Sequence, residues 1–369
     1  MSIVWIDTLG QISCLGAGIE ALRDKQHHGI DFWNSFYPHA TISADNDFLS
    51  IEGWNESSET RQMDSLARYS VACASLAMQH STLDLGNIAK ERAGIILGSA
   101  FGCTSSNHAF LETFLTGGPR RTSPIVFRNT VSNAAAGHLA IAFKFLGSNS
   151  VLNSGMVSGP QAIAFAFEEI KAGNCDVVLC VASDWISELM LKRFKLFEEQ
   201  CGRGVLPLID GSCVMLLRSG GDRQTQGWQL TGYGMGYLNF KEAEKSFLQI
   251  MRKALGKANI ESKEIDLFQL HSDASDLWVR DAQSESLEAA CARLMRFPFQ
   301  ENTTIPGMLS LTSSLVGIPE GNVPKLFLRK NQSNMKALQH PPEIMMFASI
   351  GSNGNVIILV LRNATNGRR

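Results

Sequence analysis

Short apolar runs alternate with amphipathic stretches along most of the chain. Helical spacing of apolar residues occurs in QMDSLARYSVACASLAMQH (62–80), AIAFAFEEIKAG (162–173) and SFLQIMRKALGKANI (246–260). Buried strands are predicted at RAGIILGSAFG, CDVVLCVAS, EIDLFQLHSDAS, CVMLLR and MMFASIGSNGNVIILVLR. This alternation is typical of an α/β fold, in which a mostly parallel sheet carries helices on its faces.

The stretch VLNSGMVSGPQ (151–161) predicts a strand, a tight turn and the start of a buried helix. We expect Ser158 to cap the helix, with Pro160 in its first turn, Gln161 completing a capping box and Gly173 as the C-cap. Backbone N–H groups at such a turn stabilise a thiolate or an oxyanion. Yet the apex of the turn is Met156, which has no proton to lose.

Composition restricts the possible function classes. The 369 residues are 44% hydrophobic and 18% charged, with a formal net charge of −2, so nothing predicts electrostatic binding of nucleic acid or anionic membrane. We predict neither a signal peptide nor a membrane span. The eight cysteines are scattered without CxxC or metal-ligand spacing, so we predict no metal site and a reducing, cytoplasmic location.

Two parts of the chain repeat one order of elements. A helix, a short linker and a buried strand with a polar turn occur at 62–102 and again at 246–275, which hints at a duplicated α/β unit. A polar, glycine-containing stretch at 219–228 is the candidate seam. We therefore predict two halves, 1–220 and 221–369.

The segment NTVSNAAAGHLAIAFKFLGSNSVLNSGMVSG (129–159) resembles the segment of the β-ketoacyl synthase family that ends in the nucleophile turn. The segments ISCLGAGIEAL, RAGIILGSAFG, PLIDGSCVMLLR and ASIGSNGNVIILVL follow in the family's order, so the resemblance covers nearly the whole chain. It implies the thiolase fold of these condensing enzymes, with two similar α/β halves in a five-layered α-β-α-β-α core. It also implies a dimer and no cofactor.

The resemblance allows the family's catalytic groups to be sought one by one. Met156 stands where the family has its nucleophilic cysteine, and His271 of HSDAS matches the first catalytic histidine. Ile318 of GIPEGN replaces the second histidine, and Ser313 replaces the lysine five residues before it. Such groups act as a unit, so their joint loss removes condensation chemistry. We therefore predict that the chain is not an enzyme on its own.

The closing loop of the family is also altered, to GSNGN, with Ser352 or Ile350 near the usual aromatic gate. For His271, a structural histidine is the favoured interpretation, since its catalytic partners are missing. Ser154 and Ser158 are weak substitutes for the nucleophile because no acid or second histidine is evident to activate them.

The segment GSAFGCTSSNHAFLETFLTGG (98–118) matches the part of the family that lies at the dimer interface and lines the acyl tunnel. The resemblance places tunnel positions at Thr104, Asn107 and Leu111, with Phe110 and Phe114 close by. An alternative is that the apolar residues only form the face of an interface helix. The small residues from Ala134 to Gly137 are expected to let two subunits approach closely.

Together these features resemble a chain-length factor, the non-catalytic partner of an active β-ketoacyl synthase in type II polyketide biosynthesis. The departures are most similar to the partners in aryl-polyene systems. The implied partners are that synthase and an acyl carrier protein. Alternatives are a stand-alone acyltransferase, decarboxylase or hydrolase acting through His271 and a serine, or an acyl-binding scaffold. The adjacent His27 and His28 and the basic run KRFK (192–195) are expected to be ordinary surface features.

Overall fold

The computed structural model describes residues 2–13, 16–26, 41–42, 60–201, 208–220, 227–272, 294–296, 305–317, 342–351 and 353–364. The helices in these ranges are α1 Gly18–Gln26, α2 Ser65–Gln79, α3 Thr104–Gly117, α4 Pro124–Arg128, α5 Ala134–Phe143, α6 Ser158–Lys171, α7 Glu188–Cys201, α8 Ala243–Ala258 and α9 Ile305–Gly317. The strands are β1 Val4–Ser13, β2 Gly16–Ala17, β3 Thr41–Ile42, β4 Ala93–Gly98, β5 Asn149–Leu152, β6 Val177–Asp184, β7 Leu208–Ile209, β8 Gly211–Ser219, β9 Trp228–Tyr237, β10 Leu267–Ser272, β11 Leu294–Arg296, β12 Ile344–Ile350 and β13 Asn355–Asn363.

Ten of the described strands form two groups of five with the same topology, whereas β2 pairs with β1, and β3 and β7 pair with each other. In the first group the order is β5-β4-β6-β8-β1, and in the second it is β11-β10-β12-β13-β9. In each group the first three strands of the order are parallel, and the last two are antiparallel to their neighbours. The repeated order and orientation confirm the predicted duplication of an α/β half.

The two groups meet where β1 pairs with β9, at Val4 with Leu230 and Trp5 with Gln229. The last strand of the first group, β8, ends at Ser219, and β9 begins at Trp228. The seam at 219–228 therefore falls between these strands, although its residues 221–226 lie outside the described ranges. The division into 1–220 and 221–369 stays a prediction.

Helices lie on both sides of each group of strands and divide the core into three apolar layers. The middle layer joins α6 and α9 to the inner faces of both groups, including Val178, Cys180, Met215, Phe347 and Leu359. One outer layer packs α2 and α5 against β4, β6 and β8, and the other packs α8 against β12 and β13. The succession of helices, strands, helices, strands and helices is the predicted five-layered α-β-α-β-α core.

The sequence of β6 explains why this strand lies in the centre of its group. All eight residues of Val177–Asp184 are buried, which is expected of a strand covered by helices on both faces. Its side chains alternate between two layers, since Val178 and Cys180 face α6 whereas Leu179 and Val181 face α2. The continuous apolar run therefore predicted the strand correctly.

The predicted ends of α2 and the predicted C-terminal end of α6 agree closely with the structure. The segment 62–80 forms α2, which begins after Asp64, whose carboxylate accepts the N–H of Ala67 at 2.9 Å. The C-cap of α6 is Ala172, and Gly173 follows it with a φ of 75°. Glycine commonly occupies the position directly after the C-cap, where φ is positive. Gly173 occupies that position, so the helix ends one residue before the predicted C-cap.

Gly98 is the point of closest approach between β4 and α6. A Cβ atom at this position would lie 2.2 Å from the carbonyl oxygen of Ser158 and 2.7 Å from the amide nitrogen of Gly159. Both atoms belong to the backbone, so they cannot move aside without displacing the helix. The last residue of β4 must therefore be glycine.

We expect Gly98→Ala to lower the free energy of unfolding by about 3 kcal/mol or more, since the added methyl group overpacks the junction. Gly256→Ala is the matched control, because Gly256 lies in α8 and an added Cβ meets nothing within 4 Å there. That variant should gain about 0.5–1 kcal/mol from the better helix propensity of alanine. Urea unfolding measures both values, and equal stabilities of the two variants would contradict the close contact.

Candidate functional site

The turn after β5 is held by a short 3-10 helix, Gly155–Val157, that runs directly into α6. Gly155 has a φ of 71°, a left-handed conformation that favours glycine. The turn contacts α6, α9, β12 and β13, so elements of both halves surround it. The predicted strand, turn and helix are all present, and the apex lies at the junction of the halves.

The prediction that Ser158 caps α6 is wrong. The N-cap is Val157, with φ −84° and ψ −1°, and Ser158 is the first helical residue. A capping serine needs an extended backbone, but the 3-10 helix delivers the chain in a helical conformation, so the capping box with Gln161 does not form either. The Ser158 hydroxyl instead accepts the N–H of Ser154 at 2.8 Å and lies 2.7 Å from the Gly155 carbonyl oxygen, which fixes the turn.

Met156 is buried at the apex of the turn, with only 3% of its surface exposed, and Val157 beside it is fully buried. Burial of a methionine side chain stabilises a fold by roughly 1.5–3 kcal/mol. The side chain carries no ionisable group and no acidic proton. The structure therefore has a buried apolar side chain at the predicted nucleophile position, in an otherwise well-formed turn.

His271 lies on β10, opposite Ser349 of β12 in the parallel register, and both residues are fully buried. Its Nδ1 atom is 3.3 Å from the Ser349 hydroxyl oxygen. Burial lowers the pKa of His271 to about 4, so the imidazole is neutral near pH 7. A neutral histidine bonded to a neighbouring strand fits the predicted structural role better than a catalytic one.

The other positions of the predicted catalytic set are only partly covered by the structure. Ser313 lies in α9, the helix that packs against α6 and the turn. Ile318 and Ser352 lie outside the described residues, as do His27 and His28. Ile350, the other position assigned to the gate, is a buried residue at the end of β12.

The loop before α3 depends on a buried carboxylate that no sequence motif identifies. Asp184, the last residue of β6, accepts hydrogen bonds from the Ser99 hydroxyl at 2.7 Å and from the N–H groups of Ala100 and Phe101 at 2.9 and 3.1 Å. The Ser99 oxygen in turn accepts the N–H of Gly102 at 2.8 Å. Asp184 thereby positions the loop from which α3 starts. Its only sequence signal is a charged residue at the end of an apolar strand.

The predicted tunnel residues lie along one side of α3. Thr104 is its first residue and is exposed, and the Asn107 amide donates to the Cys103 sulfur at 3.3 Å. Leu111 and Phe114 are about half exposed, and the next residue, Leu115, is 78% exposed. An exposed apolar face on one helix of an otherwise well-packed core is typical of an interface.

Aromatic side chains extend this face onto α4. The Phe110 ring lies 6.2 Å from the Phe114 ring and 5.2 Å from the Phe127 ring, measured between centroids. Phe127 and Val131 are both more than half exposed. Phe110 and Phe114 are predicted from the sequence, but Phe127 is not, because no helical pattern connects it to α3. We call the exposed residues Leu111, Phe114, Leu115, Phe127 and Val131 the α3–α4 apolar face.

The strand β5 lies at the outer end of the first group and pairs only with β4 among the described strands. Its first residues, Asn149 and Ser150, are exposed. Ala134 and Gly137, the predicted close-approach residues, lie on α5 and are half-buried; an added Cβ at Gly137 meets nothing within 4 Å. Open edge strands and small helical residues both allow a second chain to approach closely.

The described cysteines and the basic run 192–195 lie away from the turn. Cys73, Cys175, Cys180 and Cys213 are buried free cysteines, and burial raises the pKa of Cys73 to about 12, as expected for thiols that pack as small apolar groups. In the basic run, Lys192 forms an exposed ion pair with Glu188. The described part of the chain contains no cluster of metal-ligating side chains and no helix that could span a membrane.

Comparisons with known families and sequences agree with this geometry. Residues 35–195 match the family model described as the N-terminal domain of beta-ketoacyl synthase. The chain is 21% identical over 251 residues to a 3-oxoacyl-[acyl-carrier-protein] synthase 2 of Staphylococcus aureus, which covers 62% of this chain and 61% of that protein. It is 28% identical over 162 residues to a putative polyketide beta-ketoacyl synthase 1 of Streptomyces virginiae, covering 42% of this chain and 38% of that protein. The chain thus spans about three fifths of the first relative's length.

Solved structures share the fold over nearly the whole chain at low sequence identity. A beta-ketoacyl synthase from Burkholderia phymatum superposes with a TM-score of 0.72 at 17% identity, covering 98% of this chain and all of the other. The ishigamide ketosynthase/chain length factor gives 0.69 at 17% identity, with coverages of 98% and 99%. A ketosynthase solved in complex with its type II acyl-carrier protein gives 0.73 at 16% identity, with coverages of 98% and 100%.

The lowered pKa of His271 predicts a pH dependence of stability. The unfolded chain binds a proton near pH 6.5, whereas the folded protein does so near pH 4, so stability is lost as the pH falls from 6.5 towards 4. Between pH 7.5 and 5.5 this residue should remove about 1.4 kcal/mol from the free energy of unfolding. Urea unfolding of wild type and His271→Asn at both pH values measures the difference, which the variant should lack.

The control is His80→Gln, which removes an exposed imidazole and should keep the wild-type pH dependence. If His271→Asn folds too poorly for a urea series, an NMR titration of the wild-type imidazole gives the same information. A His271 that titrates near pH 6.5 in the folded protein would contradict the prediction.

Proposed function

We propose that this chain is a chain-length factor, because residues 35–195 match the family model of the N-terminal domain of beta-ketoacyl synthase and the described core has the fold of solved ketosynthases. In this role the chain pairs with an active β-ketoacyl synthase in type II polyketide biosynthesis and helps to shape the acyl tunnel of the pair. The observation that carries the proposal is the burial of Met156 at the nucleophile turn. The turn is built as in a condensing enzyme, but its apex cannot accept an acyl group.

The state of the remaining catalytic groups supports a non-catalytic role. His271 is buried, neutral and bonded to Ser349, so it is poorly placed to stabilise charge developing on a substrate. The sequence replaces the second histidine by Ile318 and the lysine by Ser313. Without nucleophile, second imidazole and ammonium group, the chain depends on a partner for chemistry, and that partner keeps its Cys-His-His set.

The exposed surfaces support the proposed pairing. The α3–α4 apolar face and the free edge of β5 both lie in the first half, and Gly137 leaves room for a neighbouring backbone. An active synthase with the same fold presents equivalent surfaces to this chain, so the two cover each other. The acyl carrier protein brings malonyl units and the growing chain to the pair. Assignment to the aryl-polyene subtype rests on the sequence resemblance alone.

A stand-alone hydrolase or acyltransferase has less support. The serine beside His271 is Ser349, and since both residues are fully buried, neither is presented to a substrate. Ser158 uses its hydroxyl to hold the turn, through the Ser154 N–H and the Gly155 carbonyl. No contact in the described residues activates either serine in an accessible position.

The partner is identified by native mass spectrometry of tagged protein purified from its own host. We expect a one-to-one complex, or a dimer of such pairs, with a synthase that has cysteine in place of Met156 and both catalytic histidines. Leu115→Asp should dissociate the pair because it places a charge in the α3–α4 apolar face. Leu196→Asp is the matched control, an exposed leucine on α7 away from this face. A homodimer without a synthase, with or without a bound acyl ligand, would contradict the proposal.

A second assay tests whether a thiol at position 156 restores activity to the isolated chain. Met156→Cys in the isolated chain should give no ketosynthase turnover, since the thiol alone lacks the second histidine and the lysine that act with it. Turnover of this variant with malonyl and acyl carrier protein would show that the remaining groups are sufficient. The assay follows release of CO2 and the mass of the acyl products.

The tunnel role of α3 predicts a change in product length. In the reconstituted pair, Thr104→Trp or Asn107→Trp should shorten the product by filling the space that the growing chain occupies. Thr116→Trp is the matched control, since Thr116 is an exposed threonine of the same helix on its opposite side. Mass spectrometry of the products measures their length. An unchanged distribution in an intact complex would reject Thr104 and Asn107 as tunnel walls.

A further inference from the structure

A cavity of about 390 Å³ lies between the start of α2, the first turns of α3, and α4. Trp185, which follows β6, forms part of its wall, and Gly102 and Cys103 line it next to the loop held by Asp184. Its volume is within the range of small-molecule sites in proteins. Met156 and His271, the two catalytic positions whose side chains the structure describes, do not line this cavity.

The cavity is separate from the proposed acyl tunnel because the two use different sides of α3. Ser105, Ser106 and Ala109 line the cavity. At 100° per residue, Thr104, Asn107 and Leu111 project from the opposite side of the same helix. A ligand in the cavity therefore does not occupy the path assigned to the growing chain.

The charged groups around the cavity favour an anion. Arg61 and Arg68 line it, and the N-terminal end of the α2 macrodipole adds positive potential. The one carboxylate in the lining, Asp64, accepts hydrogen bonds from the Ala67 N–H at 2.9 Å and the Ser106 hydroxyl at 2.6 Å. These neutral donors occupy both carboxylate oxygens but leave its charge, so the two arginines and Asp64 together give the lining one net positive charge, and Arg68 also donates its Nε–H to the Thr60 carbonyl oxygen at 3.2 Å.

The remaining wall is mixed, with an apolar part beside the polar side chains of Gln62, Ser65, Ser105, Ser106 and Asn129. Met63, Leu66, Ile125 and Val126 contribute aliphatic surface, and the first two are buried. The Trp185 ring stacks on Tyr69 at 5.4 Å between centroids, which holds the indole in place. Apolar surface beside a pair of guanidinium groups suits a ligand with an apolar body and an anionic end, because the guanidinium fork matches a carboxylate.

We propose that this cavity binds a small amphipathic carboxylate, with its anionic end at Arg61 and Arg68 and its apolar body against Trp185 and Leu66. The proposal is independent of the chain-length-factor role, since the site needs neither the partner subunit nor the turn at Met156. It gives the chain a ligand site outside the family's acyl tunnel.

Cys103 provides a local reporter for this site. It lines the cavity with 8% of its surface exposed, and its thiol donates to the Thr130 carbonyl oxygen at 3.0 Å. A ligand in the cavity should slow alkylation of Cys103 by iodoacetamide, measured by peptide mass spectrometry. Cys175 is the internal reference, because it is buried in the middle layer of the core and does not line the cavity.

The experiment is calorimetric titration of the purified full-length chain with octanoate, octylamine and inorganic phosphate, each with the Cys103 alkylation assay. We expect octanoate to bind and to protect Cys103, and the other two to do neither. Arg61→Glu should weaken octanoate binding at least about tenfold through loss of a charge-assisted contact. Arg252→Glu, an exposed arginine on α8, is the matched control and should bind as wild type.

Different failures would overturn different parts of the proposal. Equal binding of octylamine would refute the role of the arginines, and phosphate binding as tight as that of octanoate would refute the apolar body. Absence of octanoate binding, or binding that neither protects Cys103 nor depends on Arg61, would refute the site itself. All of these results are obtained without the synthase partner, so they leave the proposed function untouched.

Discussion

The fold depends on one shared layer of helices, because α6 and α9 fill the space between the two groups of strands. Each group buries its inner face on these helices, so neither group completes its core without them. The close contact of Gly98 with Ser158 and Gly159 fixes where α6 begins relative to β4. The turn at Gly155–Val157 precedes α6 directly, and so its position is set by core packing and not by the chemistry of its apex. Whatever residue occupies position 156 is therefore held at the junction of the two halves.

This constraint explains how catalytic groups can be replaced while the architecture remains. Met156 adds buried apolar surface at the apex, which favours folding. His271 keeps a strand partner in Ser349 and stays neutral, so its burial requires no counter-charge. In both cases the side chain at a position that the resemblance assigns to chemistry is accommodated as a core residue. With methionine at its apex, the turn still leads the chain from β5 into the middle layer.

The sequence predicted the elements of the core because their signals are local. The apolar runs of β4, β6 and β8 and the helical spacing of α2 and α6 each identify one element within its own segment. Ser158 was misassigned as a cap because no residue pattern in the preceding 3-10 helix distinguishes that helix from an extended turn. Asp184 and Phe127 were missed for a different reason: the first acts on a loop some 85 positions earlier in the sequence, and the second meets Phe110 across a break between helices. Arg61 and Arg68 are only seven positions apart, but no local pattern indicates the cavity that α3 and α4 form beside them.

The helix α3 contributes to both the α3–α4 apolar face and the cavity. Its start is fixed by the Asp184 network, its outer side carries much of the α3–α4 apolar face, and its inner side lines the cavity. The proposed partner subunit on the outer side and the proposed carboxylate on the inner side would therefore contact the same helix. Two such ligands influence each other's affinity only if α3 has two positions that they prefer differently. The buried hydrogen bonds of Asp184 oppose such a shift at the N-terminal end of α3. Any coupling between cavity and interface thus requires movement of the later turns of the helix, where Leu111, Phe114 and Leu115 lie.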